Sequence, residues 1–205
     1  MRIMALSDTH GDISFKLPEA DLILHAGDIC PDFFPRTSYG SGLQAKWLNH
    51  KWLPWCAGSN MKATLGNHDF LSQYDAPKCV LLNKLLERDG LRIWFSPWSN
   101  EFCGWAWMKP AADLQEEYNK IPACDILVSH GPPYGYGDRI PDRFLIGDRE
   151  DEDPHVGSHE LLAAINRIRP KAVICGHIHA GYGVYQYILP CLTCHDFPHL
   201  NLGSH

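Results

Sequence analysis

Five short clusters in this chain consist almost wholly of residues that bind metal ions: Asp8-Thr9-His10, Gly27-Asp28, Gly66-Asn67-His68-Asp69, Ser129-His130-Gly131 and Gly176-His177-Ile178-His179. Together they offer carboxylates, an amide oxygen and imidazoles, a mixed oxygen and nitrogen set that suits Mn²⁺, Fe²⁺ or Zn²⁺. A site built for Mg²⁺ or Ca²⁺ would draw mainly on oxygens. A structural zinc site needs four ligands and favours cysteine. Here about seven candidates contain none, and the surplus points to two cations and to hydrolytic phosphate chemistry. Taken singly, each cluster has a plainer reading: an isolated D-x-H arises by chance, and His130 alone would pass for a hydrogen-bonded core residue. Their joint occurrence, each behind a short apolar run, changes that balance.

The elements that must position these residues are short. Strands are expected over residues 2–6, 21–25, 62–65, 91–95, 125–128 and 172–175, apolar runs bounded by Gly, Pro or Asp that suit central strands buried on both faces. Residues at i and i+2 of an extended chain project to one side, so Asp8 with His10, and His177 with His179, can each serve one cluster. Leu161, Leu162, Ile165 and Ile168 form a stripe at helical spacing, with Ser158 as N-cap and Pro170 beyond the end. Residues 81–88 and 112–120 are further helix candidates. Alternating strands and helices imply an α/β layered domain. Two regions read as insertions near strand ends, 30–55 with three tryptophans and 134–153 rich in Asp and Arg, and loops so placed are candidates for specificity.

The chain has 205 residues, enough for one well-buried domain spanning 1–205. Its net charge of −6 lacks the cationic footprint of a protein that grips a nucleic-acid polymer. An acidic residue, Asp8, comes too early for a signal peptide, and no apolar run approaches the roughly 20 residues of a membrane span. The eight cysteines are scattered, with one C-x-x-C at Cys191 and Cys194 and no second pair to complete a zinc ribbon. Reduced thiols and a cytoplasmic location are expected.

The motif order D-x-H, G-D, G-N-H-[D/E], H, G-H-x-H, spread from residue 8 to residue 179, resembles that of the calcineurin-like metallophosphoesterases. Phe95-Ser96-Pro97-Trp98, Phe102-Cys103-Gly104-Trp105-Ala106, His130-Gly131-Pro132-Pro133 and the segment from Gly176 to Gly183 are similar, more narrowly, to the metallophosphoesterase-domain (MPPED-type) subgroup, which includes cyclic-nucleotide phosphodiesterases. The resemblance implies a four-layer α/β/β/α sandwich with two mixed β-sheets. It implies that Asp8, His10 and His179 hold a first metal, that Asn67, His130 and His177 hold a second, and that Asp28 bridges them. His68 takes the place of the catalytic histidine, with Asp69 as its supporting partner. Two divalent ions are implied, Mn²⁺ first, with Fe²⁺ or Zn²⁺ as alternatives. Gly27-Asp28 continues as Ile29-Cys30-Pro31-Asp32, without the V-D-R-G of Ser/Thr protein phosphatases, which argues against that activity.

The activity this implies is hydrolysis of a small 2′,3′- or 3′,5′-cyclic nucleotide by a metal-bridging hydroxide, with His68 protonating the leaving oxygen. A nuclease and a non-catalytic metal-bound scaffold are the competing readings. The first calls for a basic groove, and the second has no need of His68. Most of the seven tryptophans are expected in packing. Trp98, after Ser96-Pro97, is the one singled out as a base-stacking candidate. Asp12 stands open between a role supporting the site and a turn. His155, His159, His195, His199 and His205 lie outside the motifs, and residues 148–153 read as a solvated acidic loop.

Overall fold

The strand β2, Leu22–Ala26, is buried at every position because apolar residues fall on both of its faces, and a strand of that kind must be covered on each side. In the computed structural model, which describes residues 1–141 and 154–186, β2 lies between β1, Ile3–Leu6, and β3, Met61–Thr64, and all three run parallel. A second sheet has the order β4, β5, β8, β9, formed by Lys84–Arg88, Leu91–Ser96, Ile126–Ser129 and Ala172–Ile174. It is mixed, since β4 pairs antiparallel with β5 while the rest run parallel. A small parallel pair, β6 at Ser99–Asn100 and β7 at Met108–Lys109, closes one side.

The two large sheets face each other through Leu22, Leu24 and Ala26 on one side and Ile93, Phe95, Ile126 and Val128 on the other. Burying each of the larger aliphatic side chains contributes about 1.5–3 kcal/mol. Outside the first sheet, Ile23, Met61, Ala63 and Leu65 pack against Leu48 and Trp52, which follow α1, Ser38–Trp47, in one continuous helical run that ends with α2, Leu53–Trp55. Outside the second sheet, Trp94 and Leu127 pack against α3, Ala111–Asn119, and α4, His159–Ile168. The layers are therefore α/β/β/α. Helix α4 starts where Ser158 accepts a hydrogen bond from Leu161 N, and it stops at Arg169, in a left-handed conformation just before Pro170.

One expected helix is absent. Residues 84–88 form β4 because Asp89 and Gly90, both at positive φ, make a two-residue hairpin turn that folds the chain back onto β5. An Asp-Gly pair between two apolar runs is a hairpin signal, and it outweighs the weak helical spacing of Leu81, Leu82, Leu85 and Leu86. The insertion at 30–55 is mainly helical. Of the insertion at 134–153, residues 142–153 lie outside the described residues, as do Cys191, Cys194, His195, His199 and His205.

Candidate metal centre

Parallel strands bring their carboxyl ends to one edge, and the expected ligands stand just beyond those ends. Asp8 follows β1 by two residues, Asp28 follows β2 by two, Asn67 follows β3 by three, His130 follows β8 directly and His177 follows β9 by three. This is where open α/β sheets place their ligands. Backbone hydrogen bonds continue past the strands and stitch the loops together, with Asp8 N donating to Gly27 O, His10 N to Asp28 O, His130 N to Ser96 O and Gly176 N to His130 O, all at 2.9–3.0 Å. Asp8, His10, Asp28 and His177 all have positive φ. That conformation costs about 1 kcal/mol or more at each non-glycine residue and persists only where the surroundings enforce it. Gly66 and Gly176 admit the close approach, since a Cβ at Gly66 would collide with the Asp28 carboxylate and one at Gly176 with that of Asp8.

The side chains gather into two adjoining sets. In the inner set, Asn67 Oδ1 lies 2.7 Å from both His130 Nε2 and His177 Nδ1, and Asp28 Oδ2 lies 3.4 Å from His130 Nε2. In the outer set, His10 Nε2 faces His179 Nε2 at 3.2 Å, and His179 Nε2 lies 3.5 Å from Asp8 Oδ1. Asp28 Oδ2 also stands 4.0 Å from His10 Nε2, so this one oxygen adjoins both sets.

Proton positions follow from the outward-facing ring nitrogens. His130 Nδ1 is 2.9 Å from the Ala26 carbonyl, to which it must donate, and burial lowers the His130 pKa, so its Nε2 carries a lone pair. That lone pair points at two further acceptors, Asn67 Oδ1 and Asp28 Oδ2. Likewise His10 Nδ1 meets Asp32 Oδ1 at 2.9 Å, which leaves its Nε2 to face the other ligands. Acceptors crowded in this way repel one another without a cation among them, and the donor set fits divalent ions. The acidities agree. Burial, reinforced by the charges of Asp69 and Asp8, raises the Asp28 pKa well above the carboxylate range. Burial also brings His177 down to about 3, keeping it neutral and fit to ligate. Asp8 is held low although burial opposes it, chiefly by its hydrogen bond to His179, and that bond raises His179.

His68 projects beside both sets, with Nε2 at 3.9 Å from Asp28 Oδ2 and Nδ1 at 2.6 Å from Asp32 Oδ1. Burial lowers its pKa against the pull of Asp32. Asp69 does not reach the cluster. It is fully buried and accepts hydrogen bonds from Ile29 N, Cys30 N and Gly66 N, tying the Asp28 loop to the Asn67 loop. Its carboxylate is thus committed to the backbone of the two loops, which is where the structure places the residue expected to support His68. Asp12 caps a turn by accepting from Ser14 N. Trp98 packs against Trp107, with its Nε1 donating to Asn83, and it is Trp105 that touches His68, at 4.2 Å between ring centroids.

Several supporting residues escape a reading of the sequence. His25, fully buried, accepts from Gly27 N at Nδ1 and meets Thr9 Oγ1 at Nε2, bracing both carboxylate loops. Gln44 of α1 donates to His68 O and accepts from Phe70 N, which fixes the backbone on either side of Asp69. Asp32 serves His10 and His68 with one oxygen. Only the Asp32 motif position, four beyond Asp28, could have drawn notice beforehand.

This sandwich, with candidate metal ligands gathered at the carboxyl ends of its strands, has the layering of a metallophosphoesterase fold. The family model for calcineurin-like phosphoesterases matches residues 1–181, and the chain belongs to that family. It is 30% identical to metallophosphoesterase domain-containing protein 1 of Homo sapiens, with the match covering 89% of this chain and 62% of that protein. It is 28% identical to UPF0046 protein T07D4.2 of Caenorhabditis elegans, over 96% of this chain and 57% of the relative. The chain thus spans about three-fifths of the length of these relatives. A solved crystal structure matches with a TM-score of 0.59 over 92% of this chain and 87% of its own, at 15% identity, which bears on the fold alone.

Proposed function

We propose that this protein is a binuclear metal-dependent phosphodiesterase acting on small cyclic nucleotides, 2′,3′- or 3′,5′-cyclic. The observation that carries the reading is the convergence of acceptor atoms on Asp28, with His68 Nε2 turned toward the same carboxylate. Asp8, His10 and His179 would hold one ion and Asn67, His130 and His177 the other, with Asp28 shared. Two such ions, Mn²⁺ foremost, supply the Lewis acidity that offsets phosphoester charge and acidifies water. Within that frame, Asp32 accepts from Nδ1 of His68 and would steady the ring as an imidazolium, whose Nε2 proton would pass to the departing sugar oxygen and leave a neutral imidazole. Asp69, His25 and Gln44 keep the ligand loops in register.

A small substrate accords with the net charge of −6, which offers a long nucleic acid no cationic track. The chain acts as one domain in this reading. Among the described residues, no helix is long and apolar enough to cross a membrane and six cysteines are free thiols, which supports a cytoplasmic setting.

The test is product analysis after Mn²⁺-loaded protein is incubated with 2′,3′-cAMP and with 3′,5′-cAMP, alongside His68→Ala. Turnover of either is expected, with kcat down by about 10²–10⁴ in the variant and its metal content intact. No turnover of either by protein carrying two ions rejects the cyclic-nucleotide reading. A His68→Ala protein that keeps its full rate rejects the proton donor.

A further inference from the structure

Beside His68 stands a cation whose contacts are aromatic. The Arg36 guanidinium lies over the Trp105 ring, 3.0 Å from its centroid, and 5.9 Å from that of Phe70. The guanidinium carbon thus sits over the face of the indole, the arrangement in which its plane can stack on the ring. Among the described residues Arg36 forms no ion pair and no hydrogen bond, although Asp32, Asp28 and Asp69 are all in this part of the fold. An exposed guanidinium held flat on an indole keeps its outer face for a second planar group and its edge N–H donors for acceptors around that group.

The neighbouring surface has the same character. Phe33 adjoins Asp32 in sequence, is 78% exposed, and pairs with Phe34 at 4.5 Å between ring centroids. A phosphate would gain nothing from these rings, whereas a heteroaromatic base gains from rings and guanidinium alike. The same stack touches the proton donor, since the Trp105 ring meets His68 edge-on. A sugar whose oxygen meets His68 Nε2 would therefore carry its base toward Arg36.

We infer that Arg36, seated on Trp105, is the nucleobase-recognition element of this site, which makes the substrates nucleotides rather than phosphodiesters at large. This rests on the phosphodiesterase reading above. The scissile phosphate is left to the metal centre, and Arg36 discriminates by what is attached to it.

The test compares two product analogues, AMP and ribose 5-phosphate, as ligands of the Mn²⁺-loaded full chain by calorimetry, for wild type, Arg36→Lys, Arg36→Ala and Trp105→Ala. Wild type should bind AMP about tenfold or more tightly than ribose 5-phosphate, from the ordinary strength of base stacking. Each variant should shrink that ratio toward one, Arg36→Lys included, because lysine keeps the charge and loses the plane. A ratio near one in wild type overturns the proposal. So does an unchanged ratio in Arg36→Lys, which would make the residue a point charge for phosphate. Equal weakening of both ligands in Arg36→Ala overturns it for the same reason. Wild type that binds neither ligand while carrying two ions defeats the phosphodiesterase reading itself, an outcome distinct from loss of base preference.

Discussion

The two candidate ligand sets differ in depth more than in chemistry. The inner set of Asp28, Asn67, His130 and His177 lies at the seam of the two sheets, with His130 fully buried and its Nδ1 fastened to the Ala26 carbonyl. The outer set ends on His179, whose side chain is 62% exposed and whose backbone belongs to a single tight turn, His179–Gly181. An inner ligand costs little conformational entropy to engage, because packing has already fixed it, while an outer ligand must be ordered when the ion arrives. The inner ion should therefore bind more tightly, and the outer one should exchange.

Asp28 is where the contrast would collapse, since its Oδ2 adjoins both sets. Asp28→Ala should strip both ions and lower activity by on the order of 10³ or more, read by metal analysis together with turnover. A variant that retains both ions removes the shared carboxylate from the scheme.

A smaller effect should separate the sets. His179→Ala should weaken one ion by about 10²-fold and leave the other in place, as followed by stepwise chelation with elemental analysis. His177→Ala should do the reverse and lose the tightly held ion. Identical release profiles for the two variants would erase the distinction between inner and outer sites.

The mildest effect concerns the bracing beneath the ligands. Burial drops the His25 pKa from 6.5 to about 3, so the folded protein keeps it neutral while the unfolded chain takes up a proton. The folded state therefore has the full benefit above pH 6.5 and loses it as the pH falls from there toward 3. For this one residue the loss comes to about 2 kcal/mol between pH 7 and pH 5. In metal-free protein, urea unfolding at those two pH values should show a smaller drop for His25→Gln than for wild type. An equal drop would mean that His25 is not neutral in the folded state.

Much of this was legible beforehand where chemistry and periodicity coincide. The six expected strands all form, with ends shifted by about a residue, because each is an apolar run closed by a turn residue. Helix α4 was readable from Ser158 and the stripe from Leu161 to Ile168. Residues 81–88 misled, because short apolar spacing cannot separate helix from strand and the arbiter, Asp89-Gly90, lies outside the run.

The candidate ligands were visible because Asp, Asn and His beside glycine at strand ends have few other uses. The contacts of His25, Gln44, Asp32 and Arg36 were not, since each meets residues distant in the chain. Gln44 reaches His68 across 24 positions, and Asp69 reaches Cys30 across 39. The sequence by itself determined which atoms could bind metal and the strand ends that would carry them. Only the tertiary structure decided which acceptors stand together, which carboxylate is spent on the backbone and which cation is left facing aromatic rings, because those outcomes depend on burial and on contacts that exist only once the two sheets have packed.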